Sequence, residues 1–234
     1  MGAGNTAPSL PFLECVGMDW HLMLESIPLL LKGAVTTLKI AAISGSIGVF
    51  LGTVIGLGNT WGSRPLSALL RVYIEFLRGT PLYVQLLIGV FGIPAALDIQ
   101  VDEFTAAVII IGVNSSAYVA EIMRGGIQSI DKGQMEAARS MGMTHGQAML
   151  YVILPQAFKR VIPPLVNESI TLIKESSLVA AVALVELTRT AQMISSRTYK
   201  PFEVYIMSAL VYLVMTLTLS NIASRLERRL KASD

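Results

Sequence analysis

The chain has 234 residues, of which 53% are hydrophobic and 15% charged, with a net charge of +2 and a mean hydropathy of +0.62. Soluble domains carry nearer a quarter charged residues, and the apolar residues here gather in runs of about 20, the length that crosses a bilayer core. A soluble fold is therefore excluded, and an all-α polytopic membrane protein is expected. The basic residues sit between apolar runs and follow topology, so no nucleic acid partner is implied. Cys15 is the only cysteine and His21 and His145 the only histidines, which argues against a disulfide framework or a metal site. No Lys or Arg precedes Lys32, so the positive region of a signal peptide is missing.

In chain order, 1–32 reads as an external tail and interfacial segment, with 19–31 lying at the membrane surface as an amphipathic helix. A membrane domain would then occupy 33–231, with 232–234 as a cytoplasmic end. The first span is expected over 33–58. Within it Gly48, Gly52 and Gly56 share one helix face and let a second helix approach closely, more simply within the chain than as a dimer seam. The second apolar segment, 66–97, is interrupted by Arg71, Glu75, Arg78 and the Gly79-Thr80-Pro81 break, so a kink is predicted near Pro81. The third span covers 104–127. A polar stretch at about 128–148 follows it. The fourth covers 152–185, broken by Pro163-Pro164, and the fifth covers 202–223 before a basic tail. About five spans result.

Lys and Arg placement sets the orientation. The chain before Lys32 and the loop with Asp98, Asp102 and Glu103 are acidic, whereas Arg64, Arg124, Lys132, Arg139 and the tail lie on the alternate side. The N-terminus is thus expected outside, and the C-terminus and the polar stretch in the cytoplasm. Arg189, Arg197 and Lys200 dissent from this pattern.

The polar stretch carries the functional signal. It reads Gly133-Gln134-Met135-Glu136-Ala137-Ala138-Arg139-Ser140-Met141-Gly142, with Ile153-Leu154-Pro155 further on. Physically this predicts a short helix, a glycine hinge and a second short helix, with Pro155 starting the helix after that. Ala137 and Ala138 leave a smooth surface for another protein, and Glu136 and Arg139 offer charged contacts.

The spacing resembles the EAA loop of bacterial ABC importer permeases. Arg78-Gly79-Thr80-Pro81-Leu82, Ala117-Tyr118-Val119-Ala120-Glu121 through Ile127, and Lys174-Glu175-Ser176-Ser177-Leu178-Val179 are similar to the polar amino acid permeases of that class, those serving histidine, glutamine, arginine and glutamate. The resemblance covers nearly the whole chain. It implies the type I importer permease fold and an inner-membrane location. It also implies a second permease, identical or homologous, a dimer of ATP-binding cassette subunits, and an external solute-binding protein that delivers the amino acid. ATP and Mg would bind the ATPase partner and no cofactor this chain, which lacks a phosphate-cradling Gly-x-x-x-x-Gly-Lys-Ser/Thr run and is not itself expected to be an enzyme. The expected ATPase-coupling residues are Asp131, Gly133, Glu136, Ala137, Ala138, Arg139, Gly142, Leu154 and Pro155.

For the substrate path, polar residues at membrane depth are costly and tend to face a cavity or a partner. Gln85, Asn114, Ser115, Tyr118, Glu121, Asn167, Glu168 and Lys174 are the candidates. Glu121 could instead pair with Arg78 or Arg124, and Lys174 could lie near the outer surface. An ion- or proton-coupled carrier acting without an ATPase is the alternative reading; its repeats would show as matching halves, and none are visible.

Overall fold

The computed structural model describes residues 19–231, with side chains as far as Arg225. The stretch before Asp19 and residues 232–234, expected as an outer tail and a cytoplasmic end, lie outside the described residues. Among the described residues every regular element is helical.

Helix α1 runs Trp20–Trp61 and is started by Asp19, whose carboxylate accepts from the Leu22 N–H at 3.0 Å. Its 42 residues reach about 63 Å at a 1.5 Å rise per residue, twice the thickness of a hydrocarbon core. The segment 19–31 is therefore not a separate surface helix, as expected, but the first turns of α1. Pro28 does not stop it, because the carbonyl it leaves without a donor belongs to Leu24, on the exposed side.

Helices α2 (Arg64–Gly79) and α3 (Leu82–Leu97, with a π turn at Ile88–Gly92) meet at 101°. The expected kink is thus a corner, and its chemistry is explicit. The Leu77 carbonyl would bond the amide N–H of residue 81, but Pro81 has none. Gln85 Nε2 donates to that carbonyl at 2.9 Å and Asn114 Nδ2 at 3.2 Å, while Asn114 also donates to Gln85 Oε1 at 2.9 Å.

Helix α4 (Glu103–Gln128), capped by Asp102 onto the Thr105 N–H, packs along α1. Gly48 faces Ser115, Gly52 faces Val119 and Gly56 faces Met123; a Cβ on these glycines would stand 2.7, 2.5 and 2.8 Å from those side chains. The glycine face is thus used within the chain, and because both numberings rise together the two helices are parallel. A short helix α5 (Lys132–Ser140) follows, then α6 (His145–Ala148), a π turn at Met149–Ile153 and α7 (Leu154–Glu175). A 3₁₀ turn at Ser176–Val182 leads to α8 (Leu187–Thr198) and α9 (Pro201–Lys231).

Contacts fix the remaining directions. Helix α2 runs against α1, with Asn59 bonded to Ser67 and Gly58 beside Leu70. Helix α3 runs against α4, where Gln85 meets Asn114 and Gly89 meets Ile110. Helix α7 also runs against α4, where Glu168 meets Ser115 and Val161 meets Gly126. Helix α9 runs with α1, since Lys200 meets Asp19 and Tyr212 lies level with Thr37 across Glu186. The chain therefore alternates direction through α1, the α2–α3 pair, α4, α7 and α9. Three helices (α1, α4 and α9) are each long and apolar enough to cross a membrane, and the bent α2–α3 pair makes a fourth. Helix α7 is too polar to qualify alone: it carries Lys159, Arg160, Glu168, Lys174 and Glu175. It passes through Pro163 and Pro164 without the expected break, and α-helical geometry ends only at Ser176.

In their apolar windows α4 is 67% buried, against 28% for α1 and 11% for α9. This makes α4 the axis of the bundle. The main core joins Ile40 of α1, Leu86 of α3, Ile111 of α4 and Leu172 of α7. Phe50, Val54, Val214 and Leu217 point outward from α1 and α9, an arrangement suited to lipid.

Candidate functional sites: a polar cavity beside α4 and a capped turn at its end

Two places bring the expected residues together. One is the turn after α4. Asp131 caps α5 by accepting from the Gly133 N–H at 2.7 Å. The helix ends in two paired bonds: the Gly142 N–H donates to the Arg139 carbonyl at 3.0 Å, and the Met143 N–H to the Ala138 carbonyl at 3.2 Å. Gly142 sits at φ +86°, in the left-handed region that such a cap requires and that a side chain resists. Arg139 reinforces the turn by donating to the Met143 carbonyl at 2.8 Å. Thr144 then opens α6 with a reciprocal cap, its hydroxyl accepting from the Gln147 N–H while Gln147 Oε1 accepts from its own N–H.

Ala138 and Leu154 are buried and anchor the turn, the latter in a cluster with Ile127, Ile130, Met149 and Ile153. Glu136, Ala137, Arg139 and Pro155 remain exposed. Pro155 lies in the first turn of α7, where it was expected, but the helix does not start afresh there. It follows the π turn, where the Leu154 N–H reaches back five residues to the Met149 carbonyl, so the helical run that begins at His145 absorbs the proline's missing donor. The sequence reading missed the apolar surface around this turn: Met141 is 84% exposed and Tyr151 67%. A methionine between Arg139 and Gly142, with no periodic place in a core, is the signal that could have found it.

The other place is a cavity of about 510 Å³ between α2, α4 and α7, lined by Arg78, Tyr118, Glu121, Arg160, Pro164 and Glu168 among others. Helical spacing builds it. Ser115, Tyr118, Glu121 and Gly125 follow one face of α4, and Arg160, Pro164 and Glu168 one face of α7. Glu121 is held by Arg124 at 2.6 Å and by Arg78 at 3.6 Å. The Arg78 guanidinium also lies 5.4 Å from the centre of the Tyr118 ring, a cation–π contact. Arg160 donates to the Ser129 carbonyl. Glu168 accepts from the Ser115 hydroxyl at 2.9 Å and has no cationic partner among the described residues. Inside the cavity, then, the bases are engaged, and the Glu168 carboxylate is met only by a hydroxyl.

The other path candidates lie elsewhere. Gln85 and Asn114 use their amides on the Pro81 corner. Asn167 and Lys174 are exposed on α7 and do not line this cavity.

Glu186 went unnoticed in the sequence. It is wholly buried, at the start of α8. Its carboxylate accepts from the Thr37 hydroxyl at 3.2 Å, the Thr188 N–H at 2.9 Å, the Arg189 N–H at 2.8 Å and the Tyr212 hydroxyl at 2.9 Å. These four donors join α1, α8 and α9. Two of the three dissenting basic residues find partners: Arg189 donates to Gln192, and Lys200 to Asp19 at 2.5 Å.

Residues 48–232 match the family model described as the binding-protein-dependent transport system inner membrane component. The chain is 42% identical to the arginine transport system permease protein ArtQ of Bacillus subtilis (strain 168), over 94% of its own length and 100% of that protein's. It is likewise 42% identical to the glutamine transport system permease protein GlnP of Escherichia coli (strain K12), over 91% and 98%. A crystal structure of an amino acid ABC transporter with histidines superposes with a TM-score of 0.87 at 47% identity, covering 91% of this chain and 99% of that one. An inward-facing conformation of the MetNI methionine ABC transporter, at 20% identity and a TM-score of 0.76 over 91% and 99%, shares the fold.

Proposed function

The chain belongs to the binding-protein-dependent transport system inner membrane component family, and from that premise we propose that it is the membrane-spanning permease subunit of an ABC importer for a polar or charged amino acid. The observation that carries this reading is the turn at α5 and α6. There the Glu136-Ala137 surface and Met141 stand exposed on a scaffold rigidly capped at Gly142 and anchored through Ala138 and Leu154. Such a knob fits a groove on an ATP-binding cassette subunit. A pair of those subunits would hold ATP and Mg, and their closure would move the bundle as a rigid-body switch.

A second permease completes the membrane part, and an external binding protein loads it. The turn then lies in the cytoplasm with the C-terminus, and the start of α1 faces outside. Lys200 on the outer side agrees with this orientation because Asp19 neutralises it, so it is not a free charge for the positive-inside count. The amino acid passes along the cavity of Tyr118, Glu121 and Glu168. Glu168, with no cationic partner among the described residues, is the group that meets the cargo's ammonium or side-chain cation.

The test is reconstitution with the ATPase and binding protein, reading ATPase pull-down and ATP-driven uptake. Glu136→Lys and Gly142→Pro are expected to lose both, since proline cannot adopt the positive φ at 142. Full association and uptake in both variants, or uptake driven by an ion gradient alone, would overturn the reading. Glu168→Gln is expected to raise the KM or lower the rate of uptake with association intact.

A further inference from the structure

Below the main cavity, towards the end of the bundle that carries α5, lies a second polar pocket of about 330 Å³ between α1, α2 and α4. It shares Arg78 and Glu121 with the first, so the two form one continuous seam. Arg78, Glu121 and Arg124 are committed to one another there. Three other lining groups are not. Arg71 and Glu75, exposed at the pocket's rim on α2, make no hydrogen bond or close ion pair among the described residues, and Arg71 reaches Glu121 only through its charge. Asn59 is only 8% exposed, and its side-chain oxygen has no partner. A buried acceptor left unpaired costs about 1–3 kcal/mol and calls for an explanation. The space holds on the order of ten waters by their share of the liquid, far more than one ordered water bridging Asn59.

The uncommitted groups are one guanidinium, one carboxylate and one amide oxygen. Their complement is a molecule with an oxyanion and an ammonium a few bonds apart. We propose that this pocket is a seat for such a zwitterion, filled by the head of an amino acid on its way out of the main cavity. Arg71 takes the carboxylate, while Asn59 Oδ1 and Glu75 take the ammonium. The side chain points away, so this seat reads the head common to all amino acids and leaves selection to the cavity above. The inference rests on the seam being the amino acid path. The headgroup of phosphatidylethanolamine offers the same ammonium and oxyanion, so the source of the zwitterion must be distinguished.

The experiment is equilibrium binding of tritiated L-glutamine and L-arginine, into the millimolar range, to the permease–ATPase complex in nanodiscs of phosphatidylglycerol alone. Native mass spectrometry of the complex from nanodiscs containing phosphatidylethanolamine accompanies it. Asn59→Leu fills the same space without the acceptor. Arg71→Gln alters an exposed side chain that the fold does not need. Both are expected to remove one class of bound amino acid or weaken it at least about tenfold, whereas Glu168→Gln leaves that class in place. Loss of retained phosphatidylethanolamine in both variants, with amino acid binding unchanged, would keep the zwitterion seat and give it to a lipid headgroup. Wild-type amino acid binding and lipid retention in both variants would overturn the proposal. If Glu168→Gln changes neither binding nor uptake while Asn59→Leu and Arg71→Gln abolish binding, the role given to Glu168 fails and the lower seat stands.

Discussion

At the scale of single residues, most of the work done by polar groups here is repair. Gln85 and Asn114 serve the carbonyl that Pro81 leaves open, and Glu186 collects four donors from three helices. Gln85→Ala is expected to destabilise the fold by about 1–3 kcal/mol, read from thermal unfolding in detergent, because the Leu77 acceptor loses its better partner. Tyr212→Phe is expected to cost about 0.5–1.5 kcal/mol. Glu186→Gln is expected to cost more, because it points an N–H₂ at groups that are themselves donors. In a double-mutant cycle the two are expected to couple by about 0.5 kcal/mol or more; simple additivity would mean the hydrogen bond carries no weight. None of these roles could be read from the chain. A glutamine or asparagine inside an apolar run announces only that it needs a partner. Whether that partner is cargo or a broken helix depends on a residue dozens of positions away, as Asn114 depends on Leu77.

At the scale of elements, the legible features were those that local chemistry decides. Gly142 at a forced turn and the small-residue face of α1 follow from backbone sterics alone, and both are present. What tertiary packing decides was illegible. Pro163 and Pro164 do not break α7, and Pro155, in its first turn, follows a π turn that continues the helix backwards. The α1–α4 seam gives a sharp test. Gly52→Leu would put its Cβ 2.5 Å from Val119 and 2.6 Å from the Ser116 carbonyl, so the helices must part. Folded yield after detergent extraction is expected to collapse. Gly125→Ala, with nothing within 4 Å, is the matched control and should purify like the parent.

At the scale of the whole molecule, the starts of α1 and α9 are tied by Asp19 and Lys200. The hydrogen bond from Lys200 holds the Asp19 carboxyl below its usual range, and Asp19 holds the Lys200 ammonium above its own. The Asp19 contribution is therefore present above the ordinary carboxylate value and is lost as pH falls through the lowered one. The Lys200 contribution is present below the ordinary lysine value and is lost as pH rises through the raised one. Across about pH 5–9 the tie is constant. The protection factors for hydrogen exchange at the first turns of α1 and α9, once the intrinsic pH dependence of exchange is divided out, should thus be flat over that window in the parent and lower in Asp19→Asn, with the difference shrinking in high salt because the pair is exposed.

The glycine seam has a mechanical consequence. Where Gly48, Gly52 and Gly56 lie flush against Ser115, Val119 and Met123, neither helix can roll without driving a side chain into backbone. Helices α1 and α4 therefore behave as a stator, a single keyed post. The compliant member is α7, which is joined to the α5 knob through the π turn at Met149–Ile153, bears the Glu168 wall and carries two prolines along its length. Force delivered at Glu136 would travel up this arm and change the width of the seam between Glu168 and Ser115, while the post stands still.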